Sequence, residues 1–339
     1  MMDLIRRIFG SQKSDDNGSR TIDPAPPSSP AVSRPTEEIA RPHPPIEEVI
    51  SASEPLASNS SETVSDAPMQ TRPLPPLKTF KSEYRRLAYG SVSNIGGRTN
   101  NEDSSLALLF NASSTGNPPN IGVFIVADGM GGHENGEYAS ATTIQTLAQF
   151  VIGEIILPQL TGKEFSADQK TIPEVLAEAM SQANQLVQLN YPGGGTTATC
   201  AVIRDDLAYI AHVGDSRAYL LTDGEMELVT RDHLLVRRLQ ELGQLTPEEA
   251  DSHPQRNVLY RAVGQAESLE IDAATRRLPP SSRLLICSDG LWGVLGDSVM
   301  KQIMDDYSDP QEACERLIAE TNAQNGQDNI TAVIVQMPY

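Results

Sequence analysis

Acidic residues stand beside apolar runs at four places in the chain, and their types point to cation chemistry. Asp128 follows Val123-Phe124-Ile125-Val126-Ala127 and precedes Gly129, while Asp289 follows Leu284-Leu285-Ile286-Cys287-Ser288 and precedes Gly290. Asp328 stands just before the run that opens at Ile330, and Glu102-Asp103 leads into Ser104-Ser105-Leu106. Taken singly, Asp-Gly after a strand is ordinary turn chemistry. Gathered at one end of adjoining strands, such carboxylates would repel by about 4 kcal/mol per close pair at an effective dielectric of about 20. A cluster of that kind needs cations. Its ligands are all oxygens, with the Gly129 carbonyl unobstructed by a side chain, so hard ions are expected, magnesium or manganese. Two of them about 3.5–4 Å apart would hold and deprotonate a bridging water, a nucleophile suited to in-line attack on phosphorus without a covalent intermediate.

Phosphate also needs a positive clamp. Arg98 lies four residues before Glu102 in Gly97-Arg98-Thr99-Asn100-Asn101-Glu102-Asp103, so one turn can deliver a guanidinium together with the acids. Standing alone, the same arginine would be an ordinary surface residue. Other routes lack their signatures: there is no Gly-x-x-x-x-Gly-Lys-Ser/Thr loop for nucleotide phosphates and no Gly-x-Ser-x-Gly elbow for a serine hydrolase. None of the three cysteines opens an arginine-closed phosphate loop.

To converge, these residues require several strands whose ends meet. Strands are predicted at Arg86 to Ser93, Ser105 to Phe110, Ile121 to Ala127, Thr196 to Ile203, Leu207 to Val213, Arg217 to Thr222, Arg283 to Cys287 and Ile330 to Gln336. Turn signals such as Arg204-Asp205-Asp206 and Thr222-Asp223-Gly224 separate neighbouring runs, which favours hairpins and antiparallel sheet. Helices are expected over about Gly136 to Ile156, Pro173 to Asn190 and Pro310 to Thr321. Leu176, Met180, Ala183 and Val187 form an apolar stripe on the second, and Ala313, Cys314, Leu317 and Ile318 form one on the third. From Asp232 to Ala262 the chain reads as short helices and loops, with Thr246-Pro247-Glu248-Glu249 a helix start. The class is α+β, one domain of sheets flanked by helices.

Composition divides the 339 residues into two regimes. Residues 1–82 are rich in Pro, Ser and acids, with runs such as Pro26-Pro27-Ser28-Ser29-Pro30, and cannot bury enough apolar area to offset ordering entropy. They read as a disordered arm or, alternatively, a proline-rich docking segment. Leu4, Ile5, Ile8 and Phe9 with Arg6 and Arg7 could form a short amphipathic helix at its start, although isolated helices this short are marginal in water. Residues 83–339 form the folded domain. A net charge of -19 argues against nucleic acid and anionic membranes as partners. Cys200, Cys287 and Cys314 sit in apolar runs with no disulfide or zinc spacing, and no segment resembles a secretory signal or a bilayer span, so a cytoplasmic monomer with buried thiols is expected.

The ordered motifs resemble one family. Arg98-Thr99-Asn100-Asn101-Glu102-Asp103, Val126-Ala127-Asp128-Gly129-Met130-Gly131-Gly132-His133, Gly195-Thr196-Thr197, Val213-Gly214-Asp215-Ser216-Arg217-Ala218-Tyr219, Cys287-Ser288-Asp289-Gly290-Leu291-Trp292 and Asp328-Asn329-Ile330-Thr331 follow the order seen in the metal-dependent type 2C (PPM) serine/threonine protein phosphatases, closest to the bacterial branch. The resemblance spans about Leu87 to Val335. It implies two packed antiparallel sheets with helices on both outer faces, a four-layer αββα sandwich, and a two-metal site at one edge. By motif, Asp128 would bridge both ions, Gly129 would offer its carbonyl, and Asp289 and Asp328 would complete the set. Glu102 would hold a water of that centre, Asp103 would support it, and Arg98 would grip the phosphate.

His133 resembles the bacterial branch's histidine and could protonate the leaving alkoxide; a loop histidine bonded to backbone is the alternative. A third ion in this family uses the aspartate here numbered Asp215 and an acid four residues beyond Asp289, where this chain has Gly293. That ligand set is incomplete, and Asp215 could instead order waters or bond Arg217. The segment 232–262 resembles the flap that influences substrate choice. Phosphorylated proteins of a serine/threonine kinase pathway are the implied substrates, which places the chain in signal transduction. A small-molecule phosphomonoesterase, a partner-switching regulatory phosphatase whose arm recruits one phosphorylated regulator, and an inactive binding module on the same fold are the alternatives.

Overall fold

Continuous apolar runs in the central strands put apolar side chains on both of their faces, which dictates layers above and below each sheet. The computed structural model describes residues 86–110, 121–131, 135–160 and 169–338. The arm expected over residues 1–82, with its N-terminal helix, lies outside the described residues, as does His133.

One sheet is ordered β1 (Ala88–Asn94), β11 (Ile330–Gln336), β10 (Arg283–Cys287), β7 (Arg217–Thr222) and β8 (Glu225–Leu228). The other is ordered β2 (Asp103–Phe110), β3 (Ile121–Met130), β5 (Ala198–Arg204), β6 (Leu207–Val213) and β9 (Asp272–Arg277), with the two-residue β4 (Gly195–Thr196) added to the end of β3. Every pairing among them is antiparallel. The predicted hairpins form: Arg204 pairs Leu207 across Asp205-Asp206, and Thr222 pairs Glu225 across Asp223-Gly224. Asp223 and Gly224 both have positive φ, 51° and 75°, the backbone that a two-residue turn of the primed type requires.

Three buried layers follow from this order. On one face of β3, Ile121, Val123, Ile125 and Ala127 pack with Leu176, Met180, Ala183 and Val187 of α3 (Ile172–Asn190). On its other face Phe124 and Val126 meet Ile286, Val333 and Val335 of the opposite sheet. Beyond that sheet, Leu285, Cys287, Ala332 and Ile334 bury against Ala313, Cys314, Leu317 and Ile318 of α8 (Pro310–Ala323). The result is the four-layer αββα sandwich. Phe124 is fully buried between the sheets, so Phe124→Ala is expected to cost about 3–5 kcal/mol, read as a lower urea midpoint.

Helix α1 (Asn135–Val151) continues through a π-helical stretch, Ile152–Ile156, into α2 (Leu157–Leu160). It is long and apolar enough to cross a membrane, and here Ala139, Ile144, Leu147 and Val151 are buried in the core under the sheet. Thr171 caps α3 by a reciprocal box with Glu174. The three cysteines are free and buried.

Five features depart from expectation or add to it. β3 runs through Asp128 to Met130 instead of ending before it, because β4 supplies a partner for Gly129 and Met130. The charged strands β8 and β9 are short and bury little, which leaves them a weak signal in the sequence. Between β10 and β11, α6 (Asp289–Trp292) and α7 (Asp297–Asp306) interrupt what reads as loop.

Candidate active site

The register of β2 on β3 puts Asp103 directly opposite Asp128. On the other sheet, β10 and β11 are neighbours, so Asp289, at the start of α6, and Asp328, just before β11, come from adjacent strand ends. The two pairs meet where the sheets face each other. Asp103 Oδ2 accepts hydrogen bonds from the hydroxyls of Ser288, at 2.8 Å, and Thr331, at 2.6 Å. Ser288 and Thr331 are themselves joined, Thr331 N–H donating to Ser288 Oγ at 3.0 Å. One carboxylate of the first sheet is thus bolted to two strands of the second.

Backbone contacts fix the rest. Asp128 N–H donates to Thr197 Oγ1 at 2.9 Å, and its carbonyl accepts from Thr197 N–H at 2.8 Å and Thr196 Oγ1 at 2.9 Å. Glu102 N–H donates to Asn329 Oδ1 at 2.8 Å, while its carbonyl accepts from Gly129 N–H at 3.1 Å and Ser140 Oγ at 2.6 Å. Asn329 Nδ2 donates to the carbonyls of Ile95 and Asn100, both at 2.9 Å, stitching the turn that carries Arg98 to the entry of β11. Gly129 sits so close to its neighbours that a Cβ would lie 2.2 Å from the Gly136 carbonyl oxygen and 2.6 Å from that of Glu102. Arg98 Nη2 donates to Asp328 Oδ2 at 2.6 Å, both side chains partly exposed.

The resulting electrostatics are unfavourable without counter-ions. Burial, then the charges of Asp103, Asp289 and Asp215, holds the Asp128 carboxyl well above the usual range. Burial pushes Asp103 to about 7, against the lowering effect of the Thr331 and Ser288 hydrogen bonds and with further repulsion from Asp289 and Asp328. Asp289 is raised by burial and by Asp328, and its hydrogen bond with Asp128 works the other way. Asp215 is raised to about 8 by burial, Asp289 and Asp232. Glu102 is raised by burial, with Arg98 opposing.

Asp103 Oδ1 is buried with no hydrogen-bond partner. Among the described residues no three acidic, His or Cys side chains already surround one point at ligand distance; Asp128 and Asp289 hydrogen-bond to each other instead. An all-oxygen set of mutually repelling, buried carboxyls with an unmet oxygen fits hard divalent cations.

Beside the carboxylates lies the segment between β8 and β9, with α4 (Leu235–Glu241) and α5 (Pro247–Asp251). Thr246 caps α5 with the expected box to Glu249. Leu234, Val236 and Ala250 pack on Trp292 in a small core of their own. A cleft of about 560 Å³ separates this flap from Asp289 and Asp328.

A family profile, protein phosphatase 2C, matches residues 87–242. The serine/threonine phosphatase stp of Listeria innocua is 37% identical over 215 residues, which cover 63% of this chain and 84% of that protein. The chain belongs to the protein phosphatase 2C family. Protein phosphatase PhpP of Streptococcus pneumoniae is 34% identical over 240 residues, 71% of this chain and 93% of the relative.

Among solved structures, the serine/threonine phosphatase of S. agalactiae superposes with a TM-score of 0.63 at 30% identity, covering 74% of this chain and 99% of the other. The catalytic domain of the phosphatase PstP, solved in complex with two manganese ions, superposes with a TM-score of 0.59 at 30% identity, covering 75% and 99%. The protein is therefore a metal-dependent serine/threonine phosphoprotein phosphatase, of a family that works with two divalent cations.

In this phosphatase the predicted residues Arg98, Glu102, Asp103, Asp128, Gly129, Asp289 and Asp328 come together, and Asp215 joins them on the Asp289 side. Gly293, where a third-ion ligand would stand, brings no carboxylate; its N–H donates to the Asp289 carbonyl at 2.8 Å. The suggested Asp215–Arg217 bond is not made. Arg217 instead forks onto Asp232 at the flap's start, at 2.9 and 2.7 Å, with its guanidinium 3.5 Å over the Trp292 ring. Trp292 Nε1 donates to the Asp215 carbonyl at 3.0 Å, which accounts for that aspartate's backbone position. Ser288, Thr331, Thr197 and Asn329 went unassigned in the sequence. All four lie inside the quoted motifs, and Ser288 and Asn329 stand next to an aspartate, which was the available signal.

Proposed function

We propose that Asp128, the Gly129 carbonyl, Asp289 and Asp328 hold two magnesium or manganese ions, and that the substrates are proteins phosphorylated on serine or threonine by a kinase pathway. When bound, the cations supply charge for the transferring phosphoryl group and a nucleophile at neutral pH. Arg98, half-exposed at the cluster's rim, is placed to turn from Asp328 to a phosphoryl oxygen, which it can grip bidentately. Asp103, its Oδ2 already committed to Ser288 and Thr331, offers Oδ1 to a water of the site. Glu102, beside the start of α1, orders water on the same side. His133 is assigned the proton to the leaving alkoxide on sequence position alone.

The convergence of acids from both sheets on one buried point carries this reading, because such a cluster is costly for a fold that does not use it. An inactive binding module would have no need of all of them together. The acidic composition and three buried thiols support a cytoplasmic setting. The test is manganese-dependent hydrolysis of p-nitrophenyl phosphate by the full chain, with Asp289→Ala as control. A rate equal to the control's would sink the assignment.

A further inference from the structure

The cleft beside the carboxylates is larger than a phosphoryl group needs. At about 560 Å³ it falls in the range, roughly 300–1,000 Å³, of sites that enclose a whole ligand. One side is formed by Asp289, Asp328 and Trp292, and from the flap opposite Arg237 and Arg256 line the same space. Arg256 sits in the turn after α5, its N–H donating to the His253 carbonyl at 3.1 Å. Its side chain is exposed and, among the described residues, has no acidic partner. Arg237 is lightly held, 3.9 Å from Asp232 and donating to Gln240 Oε1 at 3.1 Å. Asp251 lines the cleft too and offsets part of this charge, yet the flap side stays net positive.

That sign is a local departure. A chain of net charge -19 repels acidic proteins at long range and favours basic ones. Two arginines on the free wall of the substrate cleft oppose this bias where contact is made. An extended peptide advances about 3.3 Å per residue, so a side chain one or two positions from the phosphorylated residue stays within a cleft of this size.

We propose that Arg256, assisted by Arg237, binds an acidic side chain next to the phosphorylated residue, so that the enzyme prefers acidic phosphosites. The inference rests on the phosphatase reading above and adds the flanking chemistry. Arginine suits the task because its planar fork can take a carboxylate bidentately.

Three phosphothreonine peptides, alike except for Asp, Asn or Lys at both flanking positions, test it by phosphate release from the full chain with manganese. The Asp peptide is expected to exceed the Asn peptide in kcat/KM by about fivefold at low salt, the size of an exposed ion pair, and the gap should shrink in 0.5 M salt (roughly a 4 Å screening length). Arg256→Glu should reverse the order, lowering the Asp peptide and raising the Lys peptide. Equal rates, a Lys preference in the unaltered enzyme, or an equal fall of all three peptides in Arg256→Glu would each overturn the proposal. Failure of the unaltered enzyme on every peptide and on p-nitrophenyl phosphate would instead remove the phosphatase reading, and this inference with it.

Discussion

Asp128→Asn is expected to abolish hydrolysis while making the metal-free protein more stable at neutral pH. Activity should fall by about 10³-fold or more, since the substitution removes the carboxylate proposed to stand at the centre of the cation cage. The stability gain comes from the same group. Asp128, Asp103 and Asp215 have folded-state pKa values raised by burial and mutual repulsion, to about 7 for Asp103 and about 8 for Asp215. Unfolded aspartates titrate at about 3.9.

Between those limits the native state holds protons that the unfolded chain has released, so raising the pH favours unfolding. The stabilising contribution is whole below about pH 4 and is lost as pH climbs through about 7 to 8, at about 1.4 kcal/mol per pH unit for each proton involved. Thermal melts in chelator from pH 5 to 8 should therefore slope downward, less steeply in Asp128→Asn. Manganese should raise and flatten the unaltered protein's curve, because cations replace the protons. A metal-free melting temperature that rises over that range would contradict this account.

Adding one methyl group at Gly129 should be nearly as damaging as removing the aspartate beside it. Its Cβ would fall 2.2 and 2.6 Å from two backbone oxygens, Gly136 and Glu102, neither of which can swing aside. Gly129→Ala must then push β3 away from α1 and from the Glu102 turn, at a cost of about 3 kcal/mol and with loss of the manganese response. Gly153 provides the contrast, as it is exposed and nothing lies within 4 Å of its Cβ position in the π-helical stretch. There Gly→Ala should stabilise by about 0.5–1 kcal/mol through helix propensity. Paired urea titrations would show opposite shifts in midpoint if close approach decides the matter, and similar shifts if it does not.

The layers were legible because β3, β10 and β11 carry apolar residues on both faces, and α3 and α8 carry stripes of period 3.6; such patterns are local and survive in the sequence. Asp289 and Asp328 were legible for a related reason, as acids abutting those runs. The continuation of β3 through Asp128 was not, since it depends on β4, a partner some 65 residues further on. Strands β8 and β9 were missed because Glu225-Met226-Glu227-Leu228 and Asp272 to Arg277 bury little and owe their form to neighbours β7 and β6. The partner of Arg217 was equally non-local: Asp215 is nearer in sequence, but Asp232 lies where the guanidinium, flat on Trp292, can fork. Spacing along a chain reports which groups are available, and only the tertiary path decides which of them meet.

Half of the proposed cation cage hangs from each sheet, with Asp103 pinned across the seam by Ser288 and Thr331. On the assignment proposed above, the reaction centre would have no existence in either half alone, and a bound ion would act as a rivet through the sandwich. A slip of a single residue of β2 along β3 would turn Asp103 to the opposite face and away from Asp128. Variation that preserves catalysis is confined to parts that do not set this alignment, the outer helix surfaces and the flap, and there a phosphatase of this build can change what it recognises without changing what it does.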